Sequence, residues 1–140
     1  MKKLTILFLI FALSLLSGCS KKAPDEPENF ISGYIIFKNS TQYYSIYITH
    51  LVQRRSGETE STSANILVPV GYSRRLNNLI DGGQIFPGGD DVTITFESLA
   101  RHPQEPENPL FRRTVTLTVN GTQNIQVKGQ QGEYDIQGGS

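Results

Sequence analysis

"VTITF", residues 92–96, decides the fold. Val92, Ile94 and Phe96 fall on one side of an extended chain and Thr93 and Thr95 on the other, the period of two that marks a strand with one wet face. The same alternation returns in "TVTLTV", residues 114–119, where Val115, Leu117 and Val119 face one way and threonines the other. Before the first stretch, Pro87-Gly88-Gly89-Asp90 reads as a turn, since Pro presets φ and Gly accepts positive φ. After the second, Asn120-Gly121 is the strongest short hairpin signal, predicting a return through residues 125–127. A last short strand is expected through Tyr134 and Ile136.

Working toward the N-terminus, residues 66–72 (ILVPVGY) read as a strand whose Pro69 removes a ladder donor and marks an edge or a strand end. Residues 54–63 (RRSGETESTS) read as a polar loop. Residues 30–38 (FISGYIIFK) and 43–52 (YYSIYITHLV), joined by the polar turn Asn39-Ser40-Thr41-Gln42, read as a hairpin. Residues 73–85 show no clear period. Nowhere does a helical repeat of three to four persist, and about seven strands at intervals of ~8–12 residues predict an all-β domain, a single antiparallel β-sandwich over residues 30–140. The strand rhythm of "FKNSTQYYSIYI" and "FPGGDDVTITF" is similar to that of small immunoglobulin-like or transthyretin-like domains of envelope lipoproteins, a likeness of architecture only.

The first 29 residues stand apart. Lys2 and Lys3 form a positive start, and the uncharged residues 4–16 (LTILFLIFALSLL) match the ~7–15-residue apolar region of a secretory signal. They fall short of the ~20 apolar residues that span a bilayer. Small residues then lead into the chain's one cysteine. Leu16-Ser17-Gly18-Cys19 resembles the lipobox of bacterial lipoproteins. That resemblance implies a diacylglyceryl group on the Cys19 thiol, cleavage just before it, and acylation of the new N-terminus. Residues 1–18 are then a signal peptide, and residues 19–29 a lipidated N-terminus and tether. The segment SKKAPDEPEN, residues 20–29, has no large apolar side chain and cannot pack a core. Extended at ~3.1 Å per residue, it reaches about 30 Å. In the family, Ser after the lipidated cysteine favours the outer membrane, while an acidic run there directs surface display. Ser20 implies the outer membrane, and the leaflet stays open between periplasmic and surface-exposed.

Thirteen basic residues balance thirteen acidic ones, and losing Lys2 and Lys3 leaves a slight acidic excess. Such a chain lacks the basic face that nucleic acid calls for. With Cys19 spent on lipid, no internal disulfide remains, so stability must come from an apolar core.

Catalytic signatures are sparse: no nucleophile elbow, no H-E-x-x-H, no phosphate loop opening a helix. His50 and His102 are the groups able to act as bases near neutral pH. His50 is expected on the face of Tyr44, Ile46 and Ile48, and His102 in a solvated loop. Asp81, Asp90 and Asp91 could supply oxygen ligands to calcium, but their spacing matches no calcium loop. Asn39-Ser40-Thr41 and Asn120-Gly121-Thr122 match the N-glycosylation pattern, for which turn chemistry accounts as well. Six of the seven arginines are paired, as Arg54-Arg55, Arg74-Arg75 and Arg112-Arg113. Within a strand such neighbours face opposite ways and form no patch, while at a strand end they can.

The proline-rich connection of residues 99–110 (LARHPQEPENPL) exceeds the usual 2–5 residues of a hairpin loop. It brings Arg101, His102, Arg112 and Arg113 toward one end and is the expected partner-contact surface. The whole points to a non-enzymatic envelope lipoprotein, a binding or assembly module. It needs no cofactor beyond the covalent lipid on Cys19 and no metal; its partners are the membrane, through the anchor, and an envelope protein or glycan. The alternative is an envelope hydrolase or calcium-dependent binding domain using His50 or His102 with loop carboxylates.

Overall fold

The computed structural model describes residues 29–139. The expected signal segment, Cys19 and the tether up to residue 28 lie outside the described residues. Eight strands follow in order: β1 (Ile35–Asn39), β2 (Ile46–Arg55), β3 (Glu58–Val68), β4 (Ser73–Arg75), β5 (Asp91–Ser98), β6 (Arg112–Thr118), β7 (Gln123–Val127) and β8 (Tyr134–Gly138). They form two four-stranded sheets, β4-β1-β7-β8 and β3-β2-β5-β6. The described chain has no helix. It is an all-β sandwich with one strand more than expected.

The alternation that opened the sequence builds the core. Val92, Ile94 and Phe96 of β5 and Val115 and Leu117 of β6 are buried, with Val92 opposite Leu117 and Ile94 opposite Val115 in an antiparallel ladder. Ile35, Phe37, Ile125 and Val127 close on them from the second sheet in one continuous cluster. The sheets meet at Phe96, whose ring is edge-on to Phe37 at 5.0 Å, to Tyr134 at 5.9 Å and to Phe111 at 6.4 Å. Such pairs contribute about 0.5–1.5 kcal/mol each beyond burial.

Four local expectations are corrected. Residues 30–38 and 43–52 are not a hairpin: β1 and β2 belong to different sheets. The buried Asn39 makes the crossing possible, donating to the carbonyls of Tyr44 (2.7 Å) and Val68 (3.0 Å) while accepting from Thr41. Asn120-Gly121 likewise passes the chain between sheets, and its backbone bonds go to the N-terminal segment, from Gly121 N to Ile31 O at 2.6 Å. Residues 54–63 are strand: β2 and β3 pair down to Arg55 and Glu58 around a turn at Ser56 and Gly57, where Gly57 takes φ +74°. The sheets are not wholly antiparallel, because β1 runs parallel to β7.

Two further local expectations hold. β3 stops at the residue before Pro69, and β8 covers Tyr134 and Ile136. The stretch without clear period holds the three-residue β4.

The sandwich has two distinct ends. Residues 30–33, where the chain enters, lie against the start of β5 and the end of β6, through bonds from Gly33 N to Phe86 O and Gly121 N to Ile31 O. At the opposite end of β5, Leu99 N bonds Ser45 O and Gly71 N bonds Asn39 O. That far end gathers the turns after β1 and β3 and the long connection from β5 to β6.

Candidate functional site

On the outer face of sheet β3-β2-β5-β6, near the far end, lies an open depression of about 490 Å³ lined by Tyr47, Thr49, Asn65, Leu67, Glu97 and Arg101. The register places Tyr47 between Leu67 of β3 and Glu97 of β5. Three neighbouring strands thus contribute one side chain each to a rigid floor. A β-bulge in β2 between Ile48 and His50 supplies a fourth, Thr49, whose hydroxyl donates to Thr95 O at 3.3 Å.

Glu97 is the charged centre. Although on the outer face, it is 8% exposed. Its Oε2 accepts from Arg112 Nη2 at 2.7 Å and Nε at 3.0 Å. Arg101 brings Nη1 to 3.6 Å from Oε1, beyond hydrogen-bond reach. Two of the four expected contact residues therefore converge on one carboxylate. The other two do not: His102 accepts from Gln104 N at 3.3 Å within the connection, and the exposed Arg113 donates to Arg112 O at 2.9 Å.

The connection of residues 99–110 is itself folded. Leu110 N bonds Ala100 O, His102 N bonds Asn108 O, and Asn108 N bonds Glu105 O. An isolated bridge pairs Arg101 with Pro109, and the base is closed by the Ser98 hydroxyl, which donates to Ala100 O and accepts from Phe111 N. The excess length forms a finger beside the depression.

His50 does not share the face of Ile46 and Ile48. The bulge inserts one extra residue, so Leu51 and Gln53 turn inward and His50, opposite Thr95, turns outward. Neither His50 nor His102 lines the depression.

Of the three aspartates, Asp81 and Asp90 do meet, but around an arginine. Arg55 Nη2 lies 2.6 Å from Asp81 and 2.9 Å from the buried Asp90. Gln53, fully buried, donates to Asp90 at 2.8 Å and accepts from Leu79 N at 2.7 Å. Hydrogen bonds from Arg55, then from Asn78, hold the Asp81 carboxyl below the usual carboxylate range, while Asp81 and then Asp90 raise the guanidinium further. Asp91 faces away and accepts from Thr118 at 2.6 Å. Arg55 holds the place a calcium ion would need between these carboxylates, at the entry end of the fold. Among the described residues, no three His, Cys, Asp or Glu side chains form a metal-binding group.

Sequence reasoning reached Arg101 and Arg112 through the length of their connection, yet missed Tyr47, Thr49, Asn65, Leu67 and Glu97. One signal was present: Glu97 interrupts an outward row that is otherwise threonine through Thr93 and Thr95. The chain matches no protein-family model and no curated protein.

Proposed function

We propose that this chain is a lipid-anchored binding module of a bacterial envelope, held at the outer membrane through Cys19 and presenting its recognition surface at the sandwich end far from the anchor. One observation carries the reading: residues 30–33 enter beside Asp91, whereas Glu97 and the depression lie six residues further along the same strand, about 20 Å away at ~3.3 Å per residue. The tether would add up to about 30 Å. Exposed Tyr43, Leu67, Val70, Tyr72 and Leu99 crowd the same far end, a composition suited to contact. The partner is another envelope protein or a glycan, and the module acts by binding rather than by catalysis.

The test has two arms on the full chain. Wild type should incorporate a fatty-acid analogue and fractionate with the outer membrane, and Cys19→Ala should lose both; unchanged labelling would reject the anchor. A photo-crosslinking side chain at Leu99 should capture a partner, and one at Ile136 on β8 should not. Adducts from Ile136 alone would place recognition on the sheet edge and overturn the reading.

A further inference from the structure

Glu97 Oε1 and Arg101 Nη1 both line the depression and stand 3.6 Å apart, with no hydrogen bond between them. Among the described residues, Oε1 accepts no hydrogen bond and the Arg101 guanidinium donates none. The pair is an ion contact too close to admit a group between its atoms, but an acceptor-only carboxylate oxygen beside a donor-only guanidinium can be bridged from the depression side by one group that accepts from Arg101 while donating to Glu97. A hydroxyl does both. Further round the wall, Asn65 offers an amide that both donates and accepts, with no internal partner among the described residues. The remaining lining is Thr49, the Tyr47 ring and the partly exposed Leu67, with Tyr47 standing between Leu67 and Glu97 so that apolar and polar groups lie side by side.

We propose that this depression binds a pyranose unit of a saccharide, its apolar ring face laid on Tyr47 and Leu67 and a hydroxyl bridging Arg101 and Glu97 from the open side. The inference rests on the far end being the recognition surface, and it names the ligand class there. A sugar matches this mixed lining, with C–H groups against Tyr47 and Leu67 and hydroxyls that donate and accept against Asn65, Glu97 and Arg101. Size agrees, since small-ligand sites enclose ~300–1,000 Å³. A peptide added as a strand could pair only at the β3 edge and would not lie over Tyr47 and Glu97, whose strands are paired on both sides. The second salt bridge, from Arg112 to Glu97 at 2.7 Å, holds the carboxylate in its rotamer, so that little ordering is left for the ligand to impose.

The experiment uses the full chain in detergent micelles on an array of mono- to tetrasaccharides built from neutral hexoses, N-acetylhexosamines and uronic acids, followed by calorimetric titration of the best binder. Tyr47→Ala should weaken that binder at least tenfold and Arg101→Ala at least fivefold, with circular dichroism unchanged; Ile136→Ala should leave it unaltered. Glu97→Gln keeps the shape but removes the charge, and should weaken binding while retaining fold. Should Tyr47→Ala misfold, Leu67→Ala takes its place, since Leu67 sits exposed on an edge strand. Binding to no saccharide, or binding indifferent to both Arg101→Ala and Glu97→Gln, overturns the proposal. A chain that crosslinks a protein through Leu99 yet binds no saccharide loses this inference and keeps the proposed function.

Discussion

Gly33 is the position where one added carbon meets the most resistance: an ideal Cβ there lies 2.2 Å from the Gly121 carbonyl carbon, against backbone that cannot rotate away. Gly33→Ala should cost about 1–3 kcal/mol through overpacking, read as a lower urea midpoint; an unchanged midpoint would show that the turn at residues 120–122 can withdraw. Gln53 is a second such position, for the opposite reason. Its amide is fully buried and has both ends used, on Asp90 and on Leu79 N. Gln53→Leu keeps the volume but strands the half-buried N–H of Leu79 and weakens the setting of a buried carboxylate, at about 1–3 kcal/mol. Asp81 makes a pH prediction. Because Arg55 lowers its folded value, its contribution to stability is whole above the ordinary Asp value of about 3.9 and disappears as pH falls through the depressed one. Asp81 is half exposed, so added salt should blunt the effect. Asp81→Asn should therefore flatten the acid limb of a stability-against-pH curve at low salt, and an unaltered limb would mean the pair with Arg55 contributes nothing.

At the scale of elements, the strands with clean alternation were legible and their connections were not. β5 and β6 announce themselves because every second residue is apolar and the sheet has one wet face. The N-terminal half of β3 shows no such pattern since its first six residues are exposed on both sides: a strand without cover has no apolar face to write into the sequence. Two turns were misread for a different reason. A polar turn such as Asn39-Ser40-Thr41-Gln42 serves a hairpin or a crossing between sheets equally well, and the choice rests on the bonds of Asn39 to Tyr44 O and Val68 O, partners not apparent from its own neighbours. At the site, the same limit applied. Tyr47, Leu67 and Glu97 are adjacent only because three strands are in register, whereas Arg101 and Arg112 could be found from the length of one connection. That connection gives the element-scale prediction. Since Ser98 closes its base onto Phe111, replacing residues 101–109 with a short Gly-Ser link should leave the β5–β6 ladder intact and shift the thermal midpoint by less than about 5 °C, while weakening the proposed saccharide binding at least as much as Arg101→Ala does. A collapse of the fold would show that the finger supports the sheet.

For the molecule as a whole, an all-β sandwich followed from period alone, but its wiring did not. The sheet order β4-β1-β7-β8 places the first strand between the fourth and the seventh, a non-local arrangement that no local signal encodes. It also sets a schedule. A chain that emerges residue by residue can close β2 on β3 early, and β5 on β6 somewhat later. β1, with Ile35 and Phe37, has to wait for the parallel partner that starts at Gln123. Non-local pairing of this kind slows folding, because loop closure is needed before any contact compensates for it. Until nearly the whole chain is free, the inner faces of β2 and β5 therefore lack their cover, and a partly emerged chain offers apolar surface to neighbouring chains.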